Sequence, residues 1–181
     1  LDVWSFTPRL KVALPLFGRA NTLVAGLDWY RWDYDLRRSN SPASAAQPIN
    51  SVRATQETAA AYLHNTTRLT QQLTFTAGAR IERLRIEASD RYDPAAPGGA
   101  FGSGAPAGTQ RESEHAYELG LRRQIASGLA LVAKSGRSYR FANVDEIYET
   151  SQSFTNEFQF LRPQTARTHE LGAEMRAAEA W

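Results

Sequence analysis

Apolar and polar residues alternate along the stretch Leu73–Ala88. Apolar side chains recur at every second position from Leu73 to Ile81, while the residues between them, such as Thr74 and Arg80, are polar or small. A β-strand places successive side chains on opposite faces, whereas a helical period would scatter the charges among the apolar residues. The alternation lasts for about ten residues, the length of a tilted membrane-spanning strand, before Arg83 and Arg85 interrupt it. The pattern predicts a strand with one face toward lipid and the other toward water.

The same alternation predicts six further strands. In the first of them Pro8 removes a ladder hydrogen bond, so pairing is expected to weaken there. The third strand carries apolar residues on both sides, and its facing stays open. The six are Ser5–Leu14, Thr22–Arg37, Ala54–Leu69, Glu114–Gln124, Leu129–Arg140 and Ala166–Arg176.

Short and long connections alternate between these strands. The short ones lie near Gly18, Gln71 and Ser127 and the long ones near residues 45, 102 and 155, with a helical turn expected in the sequence NVDEIYE. The Gly/Ala/Pro tract inside residues 90–113 predicts a mobile surface loop that does not pack. In an antiparallel meander this alternation puts every long loop at one end, as in outer-membrane barrels. We therefore predict an all-β fold, an antiparallel meander of about seven strands that is part of a large, here unclosed, transmembrane β-barrel.

Composition removes several classes of function. The chain has 181 residues, no Cys and a net charge of +2, so thiolate metal sites, cysteine nucleophiles and a nucleic-acid partner are not expected. No apolar run of 18 residues exists, which excludes a transmembrane helix. His64, His115 and His169 have no neighbours that form a catalytic constellation, and Asp28, Asp33 and Asp35 point to opposite faces of a strand, so neither an enzyme nor a metal or cofactor site is predicted.

Three stretches resemble motifs of the TonB-dependent outer-membrane receptors. They follow one another in the expected order between residues 54 and 176. Ala142 and Asn143 stand where the family usually has proline, Gln164 replaces a common Glu, and His169 replaces a common Tyr. The stretches are Tyr62–Thr66 with Gly78-Ala79-Arg80 and Glu82, Ser138–Phe141 with Asp145–Tyr148, and Leu161–Gln164 with Glu170–Gly172.

The resemblance implies a location and a function. Residues 1–181 would form part of the barrel in the bacterial outer membrane, while the plug, the TonB contact and the closing strand would lie in a longer protein. The implied activity is TonB-energised uptake of a scarce ligand, most often a ferric siderophore, with outer-membrane lipid and TonB, through the plug, as the other partners. A passive porin-like or structural barrel is the alternative, and a soluble β-sandwich binding module is a third possibility.

Two sets of residues are candidates for binding. Tyr30, Trp32 and Tyr34 lie on the lumen register of one strand and can stack on a planar chelate, with Arg140 or Arg162 supplying charge; packing against the plug or neighbouring loops is the alternative. On the opposite, lipid-facing register, several strands carry an arginine just beyond the apolar run, at nearly the same height. These arginines can pair with lipopolysaccharide phosphates or simply extend to water. These arginines are Arg31, Arg83, Arg137 and Arg167. The pairs Arg80/Glu82 and Glu118/Arg122 are expected to form a charge network on the lumen wall.

Overall fold

The computed structural model describes residues 1–15, 18–150 and 156–176. Centres of the first short connection and of the last long connection lie outside these ranges. One short helix, α1 (Val144–Ile147), and two 3-10 turns, Pro42–Ser44 and Gly99–Phe101, accompany the strands. The strands are β1 (Asp2–Phe6), β2 (Arg9–Ala13), β3 (Asn21–Arg38), β4 (Asn50–Arg68), β5 (Leu73–Tyr92), β6 (Gly108–Ala126), β7 (Leu129–Arg140), β8 (Tyr148–Thr150), β9 (Asn156–Phe158) and β10 (Gln164–Met175).

The main sheet is an open antiparallel meander. Its order is β1-β3-β4-β5-β6-β7-β10, with β2 also paired to β3. β1 and β2 continue one register on β3, since Phe6 faces Trp29 and Arg9 faces Gly26. Pro8 interrupts this strand as predicted, although its carbonyl still accepts a hydrogen bond from the Leu27 amide at 3.1 Å. The seven predicted strand positions and their alternating short and long connections are confirmed.

Several strands extend further toward the long loops than the sequence predicts. β4 begins at Asn50 instead of Ala54, and β6 begins at Gly108 instead of Glu114. Each added segment pairs with a neighbour, as Asn50 does with Tyr92 and Ala88 with Gly108. The ladder hydrogen bonds of an existing hairpin therefore outweigh the weak strand preference of Gly, Ser and Asp.

The Gly/Ala/Pro tract packs, contrary to the prediction. Ala96 and Ala105 are buried, and the Tyr92 hydroxyl donates a hydrogen bond to the Gly99 carbonyl. A Cβ on Gly99 would lie 2.5 Å from the Asp93 carbonyl oxygen. The tract packs because its small residues let backbone segments approach one another.

Two faces run across the whole sheet. On the outer face Leu27 aligns with Ala61 and Ile81, and Leu27 and Ile81 are 55% and 64% exposed. The facing of β4, which the sequence left open, follows from this register. Ala61 and Leu63 lie on the outer face, while Tyr62 and His64 lie on the inner face. A continuous apolar band is thus left uncovered, as expected for a surface that meets lipid. None of the described helices has the length and hydropathy to cross a membrane.

Among the described residues, the inner face is covered only near the long loops. There Leu84, Ile86, Ala142 and Ile147 form one buried cluster, and Ala54, Ala88 and Val144 form a second. The covering residues belong to the described parts of the connection between β7 and β10, which we call the cover (141–150 and 156–163). The predicted helical turn is α1 within this cover, where the Asn143 side chain accepts a hydrogen bond from the Glu146 amide at 2.9 Å.

Candidate functional site: the inner face and its cover

A polar cluster centred on Arg80 occupies the inner face. The Arg80 guanidinium donates to carboxylate oxygens of Asp28 and Glu82, the latter at 2.9 Å. The Tyr139 hydroxyl donates to Glu82 at 2.7 Å and accepts from Arg80 at 3.3 Å. The guanidinium carbon lies 5.9 Å from the centre of the Tyr62 ring, within cation–π range. One cation is thus held by two carboxylates, one phenol hydroxyl and one phenol ring.

Strand register brings these residues together. Gly26 pairs with Tyr62, and Tyr62 pairs with Arg80, so the three lie side by side on the inner face. Gly26 makes room for its neighbour, since a Cβ there would be 2.4 Å from Tyr62 Cζ and Oη. Tyr139 joins from β7 above the point where the β6–β7 pairing ends, at Tyr117 and Arg137.

A cavity of about 640 Å³ opens beside this cluster. Its lining carries both signs of charge, with Arg9, Arg80 and Lys134 among the cations and Asp28 and Glu118 among the anions. Ionic groups facing water in this way can hold a hydrated ligand or another polar protein surface. The inner face therefore has the properties of a polar lumen wall.

The cover is attached to the wall by both packing and hydrogen bonds. Ile147 is completely buried, and the Tyr148 hydroxyl donates to the Asp90 carboxylate at 3.2 Å. Burial, reinforced by the Asp90 charge, raises the pKa of Tyr148 to about 12. Asn156 ties the cover to the loop 93–107, because its side chain donates to the Ser103 carbonyl at 2.6 Å.

The predicted ligand-binding residues lie on β3, at the end of β7 and in the cover. Tyr30, Trp32 and Tyr34 all lie on the inner face and are half-buried. Tyr34 packs against the cluster that contains Val144. Among the cations, Arg140 donates to Glu146 at 2.7 Å; Arg162 is exposed.

Arg140 in turn changes the chemistry of its partner. Hydrogen bonds lower the pKa of the exposed Glu146 carboxyl below its usual value. The bond from the Arg140 guanidinium has the larger effect and the bond from the Asn143 backbone amide the smaller. The Glu146 carboxylate also accepts a hydrogen bond from the Asn143 amide at 3.0 Å. Arg140 therefore supports the start of α1, and an incoming anion would compete with Glu146 for it.

The residues of the predicted charge network lie on the inner face. Arg80 and Glu82 form an ion pair there. Glu118 and Arg122 share this face, and the partner of Arg122 is Glu174, at 2.8 Å, on β10. Residues four apart on a strand are about 13 Å apart, too far for direct contact.

The acidic residues of β3 separate as the alternation predicts. Asp28 belongs to the inner cluster, whereas Asp33 and Asp35 pair with arginines of the outer face, Asp33 with Arg31 at 3.0 Å. Within the described ranges no group of three metal-binding side chains occurs.

The rim arginines occupy the outer face, but their guanidinium groups differ. Arg83 and Arg167 are exposed, and Arg31 is paired with Asp33. Arg137 does not emerge at the rim as expected, because its guanidinium turns to the inner face, where it binds Glu114 at 2.6 Å, and donates to the His115 carbonyl. It fills the place where β7 separates from β6, and its side chain is only 14% exposed.

Sequence reasoning missed the partners that Arg80 draws from other strands. Asp28 and Tyr62 are detectable in principle, because alternation puts both on the inner face and the tight link at 69–72 fixes the register of β4 on β5. Tyr139 has no such signal. Its contact depends on where β7 leaves β6, which no local pattern marks.

Comparisons with known proteins agree with this geometry. The family model described as TonB dependent receptor-like, beta-barrel, matches residues 2–181. The crystal structure of the ferric-catecholate import receptor Fiu from E. coli K12 is similar with a TM-score of 0.71 and 13% identity, over 98% of this chain and 29% of that one. The ferric yersiniabactin uptake receptor FyuA from Yersinia pestis gives 0.59 and 14%, over 96% and 26%. No curated protein sequence matches the chain.

Proposed function

Because the chain belongs to the TonB-dependent receptor β-barrel family, we propose that it forms a section of the wall of an outer-membrane receptor for TonB-energised uptake of a scarce ligand. The observation that carries this proposal is the division of the sheet into an uncovered apolar face and a polar inner face with a folded-in cover. A bilayer accepts the first face, and a solute pathway needs the second. The open sheet would be completed by further strands, and the contact with TonB would lie in a separate plug.

A ferric chelate is the first candidate for the ligand. The two receptors of similar fold are an import receptor for a ferric catecholate and an uptake receptor for ferric yersiniabactin. On this chain Tyr30 and Trp32 offer half-buried aromatic faces on the inner wall above the Arg80 cluster. Aromatic rings at that position suit a flat chelate, and Arg162 supplies an exposed positive charge for an anionic one. Such a receptor needs no covalent chemistry.

The cover favours a receptor over a passive pore. It places Ile147 and Val144 against the inner face of β4 and β5, so the extracellular side of this wall is occupied by protein. A porin-like channel would keep that space open to water. The cover therefore favours a ligand that is recognised before it passes.

The test uses the complete protein in cells and in detergent. Uptake of an iron-55 catecholate chelate is compared with and without a functional TonB, and binding is measured for Tyr30→Ala, Trp32→Ala and the matched control Trp4→Ala, whose side chain lies on the outer face. We expect uptake to require TonB and binding to weaken about tenfold for the first two variants only. Uptake that continues without TonB would establish the passive barrel instead.

A further inference from the structure

Two buried oxygen atoms near the long loops have no hydrogen-bond donor among the described residues. They are Oδ1 of Asn50, at the start of β4, and Oδ1 of Asp90, near the end of β5. Asn50 is completely buried. Buried polar atoms are almost always hydrogen-bonded, because an acceptor without a partner loses its hydration and gains nothing in return. The two oxygens therefore indicate a ligand that the surrounding strands do not supply.

Neighbouring groups fix the orientation of both side chains. The Asn50 side-chain amide donates to Oδ2 of Asp90 at 2.8 Å and to the Ser103 carbonyl at 2.9 Å. Both partners are acceptors, so the Asn50 nitrogen must point toward them and the Asn50 oxygen away from them. Oδ2 of Asp90 also accepts from the Ala105 amide at 3.1 Å and from the Tyr148 hydroxyl at 3.2 Å. All three donors meet Oδ2, which leaves the Oδ1 atom of each side chain free to bind a ligand.

The hydrogen bonds of Asp90 do not balance its charge. Its three donors are a side-chain amide, a backbone amide and a hydroxyl, all of them neutral. Arg38 is near enough to act on Tyr148 electrostatically, but its guanidinium donates to the Asn156 side chain at 3.2 Å. A buried carboxylate is normally paired with a cation or bound to a metal. A ligand for the two oxygens is therefore expected to carry positive charge.

Burial limits the ligand to a small ion. Neither oxygen is exposed to solvent, and Asn50 and Ala105 are both buried, so the ammonium or guanidinium group of an organic molecule does not fit. A calcium ion approaches its oxygen ligands to about 2.3–2.6 Å, closer than the roughly 2.8 Å of a hydrogen-bonded water. Carboxylate and amide oxygens are the ligands that Ca²⁺ prefers, and it accepts irregular geometry, whereas Mg²⁺ requires a regular octahedron.

We propose that Asp90 and Asn50 bind a Ca²⁺ ion through their Oδ1 atoms and that this ion fastens the cover. Asp90 already joins β4 through Asn50, the loop 93–107 through Ala105 and the cover through Tyr148. Water completes the coordination on the side where Asp90 is only half-buried. A site with one carboxylate is weak, so we expect a dissociation constant of about 0.1–1 mM, as in extracellular calcium modules. The site is independent of the solute that the receptor imports.

The experiment has two readouts on the complete protein in detergent. Tb³⁺ takes the place of Ca²⁺, and its luminescence, excited through the neighbouring Tyr148, reports that the site is filled. Hydrogen exchange of the Ala105 amide and of residues 141–150 reports how firmly the loop and the cover are held. Exchange is measured in CaCl₂, in MgCl₂ at equal ionic strength and in a calcium chelator.

Three variants separate this site from other cation sites. Asp90→Asn keeps the size of the side chain and removes its charge. Asn50→Asp adds a second carboxylate and should strengthen binding of the ion. The matched control is Asp93→Asn, which changes a carboxylate of the same loop that already accepts from the Gln47 side chain and the Ala95 amide. Circular dichroism verifies that each variant is folded.

We expect Ca²⁺ to slow exchange of the Ala105 amide about fivefold or more, and Mg²⁺ to have a much smaller effect. Asp90→Asn should abolish this response and the tyrosine-excited Tb³⁺ signal, whereas Asp93→Asn should change neither. Asn50→Asp should lower the half-saturating calcium concentration. Equal exchange in calcium and in chelator would overturn the proposal and assign the two oxygens to a buried water. A calcium response that survives Asp90→Asn, or an equal response to Mg²⁺, would also overturn it, because the ions would then act elsewhere on the protein.

Discussion

The ring of Tyr62 occupies the space over Gly26, where a Cβ would come within 2.4 Å of Tyr62 Cζ. This contact lets the phenol ring lie over the Gly26 backbone, with its centre 5.9 Å from the Arg80 guanidinium carbon. The absence of a side chain at residue 26 therefore helps to position a cation two strands away, on β5.

The first prediction follows from this contact. Gly26→Ala should displace the Tyr62 ring and destabilise the barrel by about 1–3 kcal/mol, the usual cost of overpacking. Urea unfolding of the complete protein in lipid vesicles measures the change. Gly120→Ala is the matched control on the same face, because its Cβ would meet Thr76 Cβ at an ordinary 3.6 Å. Equal destabilisation by both substitutions would contradict the role given to Gly26.

The second prediction concerns the cover. Ile147 is fully buried against Leu84 and Ile86, so Ile147→Ala should weaken docking of the cover by about 2–5 kcal/mol. Hydrogen exchange in residues 141–150 should rise, while exchange in the membrane-spanning parts of β3 to β6 should not. Leu161→Ala, at a position that is 45% exposed, serves as the control. Unchanged exchange after Ile147→Ala would mean that the cover is held by other contacts.

The third prediction is a loss of docking at high pH. Burial near Asp90 raises the pKa of Tyr148 from 10.0 to about 12. The Tyr148 hydroxyl therefore ionises at a lower pH when the cover is undocked than when it is docked. Stabilisation by Tyr148 is complete below pH 10 and is lost as the pH rises toward 12. Tyrosinate absorbance at 295 nm, compared with Tyr148→Phe, locates this titration. A Tyr148 that ionises near pH 10 in the intact protein would show that the hydroxyl is not docked on Asp90.

The fourth prediction concerns the start of α1. The Asn143 side-chain oxygen accepts a hydrogen bond from the Glu146 backbone amide. The Asn143 backbone amide donates one to the Glu146 carboxylate. Asn143→Ala removes the first of these bonds and should cost about 1 kcal/mol of local stability. Hydrogen exchange of the Glu146 amide is the direct measurement. Ser41→Ala, in the 3-10 turn of a different loop, should leave that amide unaffected.

The sheet and its two faces follow from the sequence, because alternation over long strands is a local property. Leu27, Ala61 and Ile81 would be placed on one face by counting alone once the tight turns fix the register. The cover is different. The contact between Ile147 and Ile86 joins residues far apart in sequence, and only the closing of three hairpins brings them together. The prediction for Arg137 is wrong for a similar reason. The direction of its side chain depends on where β7 leaves β6 and not on its place in the alternation.

In the described main sheet neighbouring strands follow one another along the chain, with β1 and β2 both paired to β3. The long connections all lie at one end of this sheet. The entropy lost on closing a loop grows with the logarithm of its length, so the connection 141–163 costs only about 0.4 kcal/mol more than the connection 93–107. Insertions on that side of the molecule are therefore nearly neutral for the sheet. The loop surface can change in length and composition, and with it the preferred solute, while the lipid-facing wall retains its pairing.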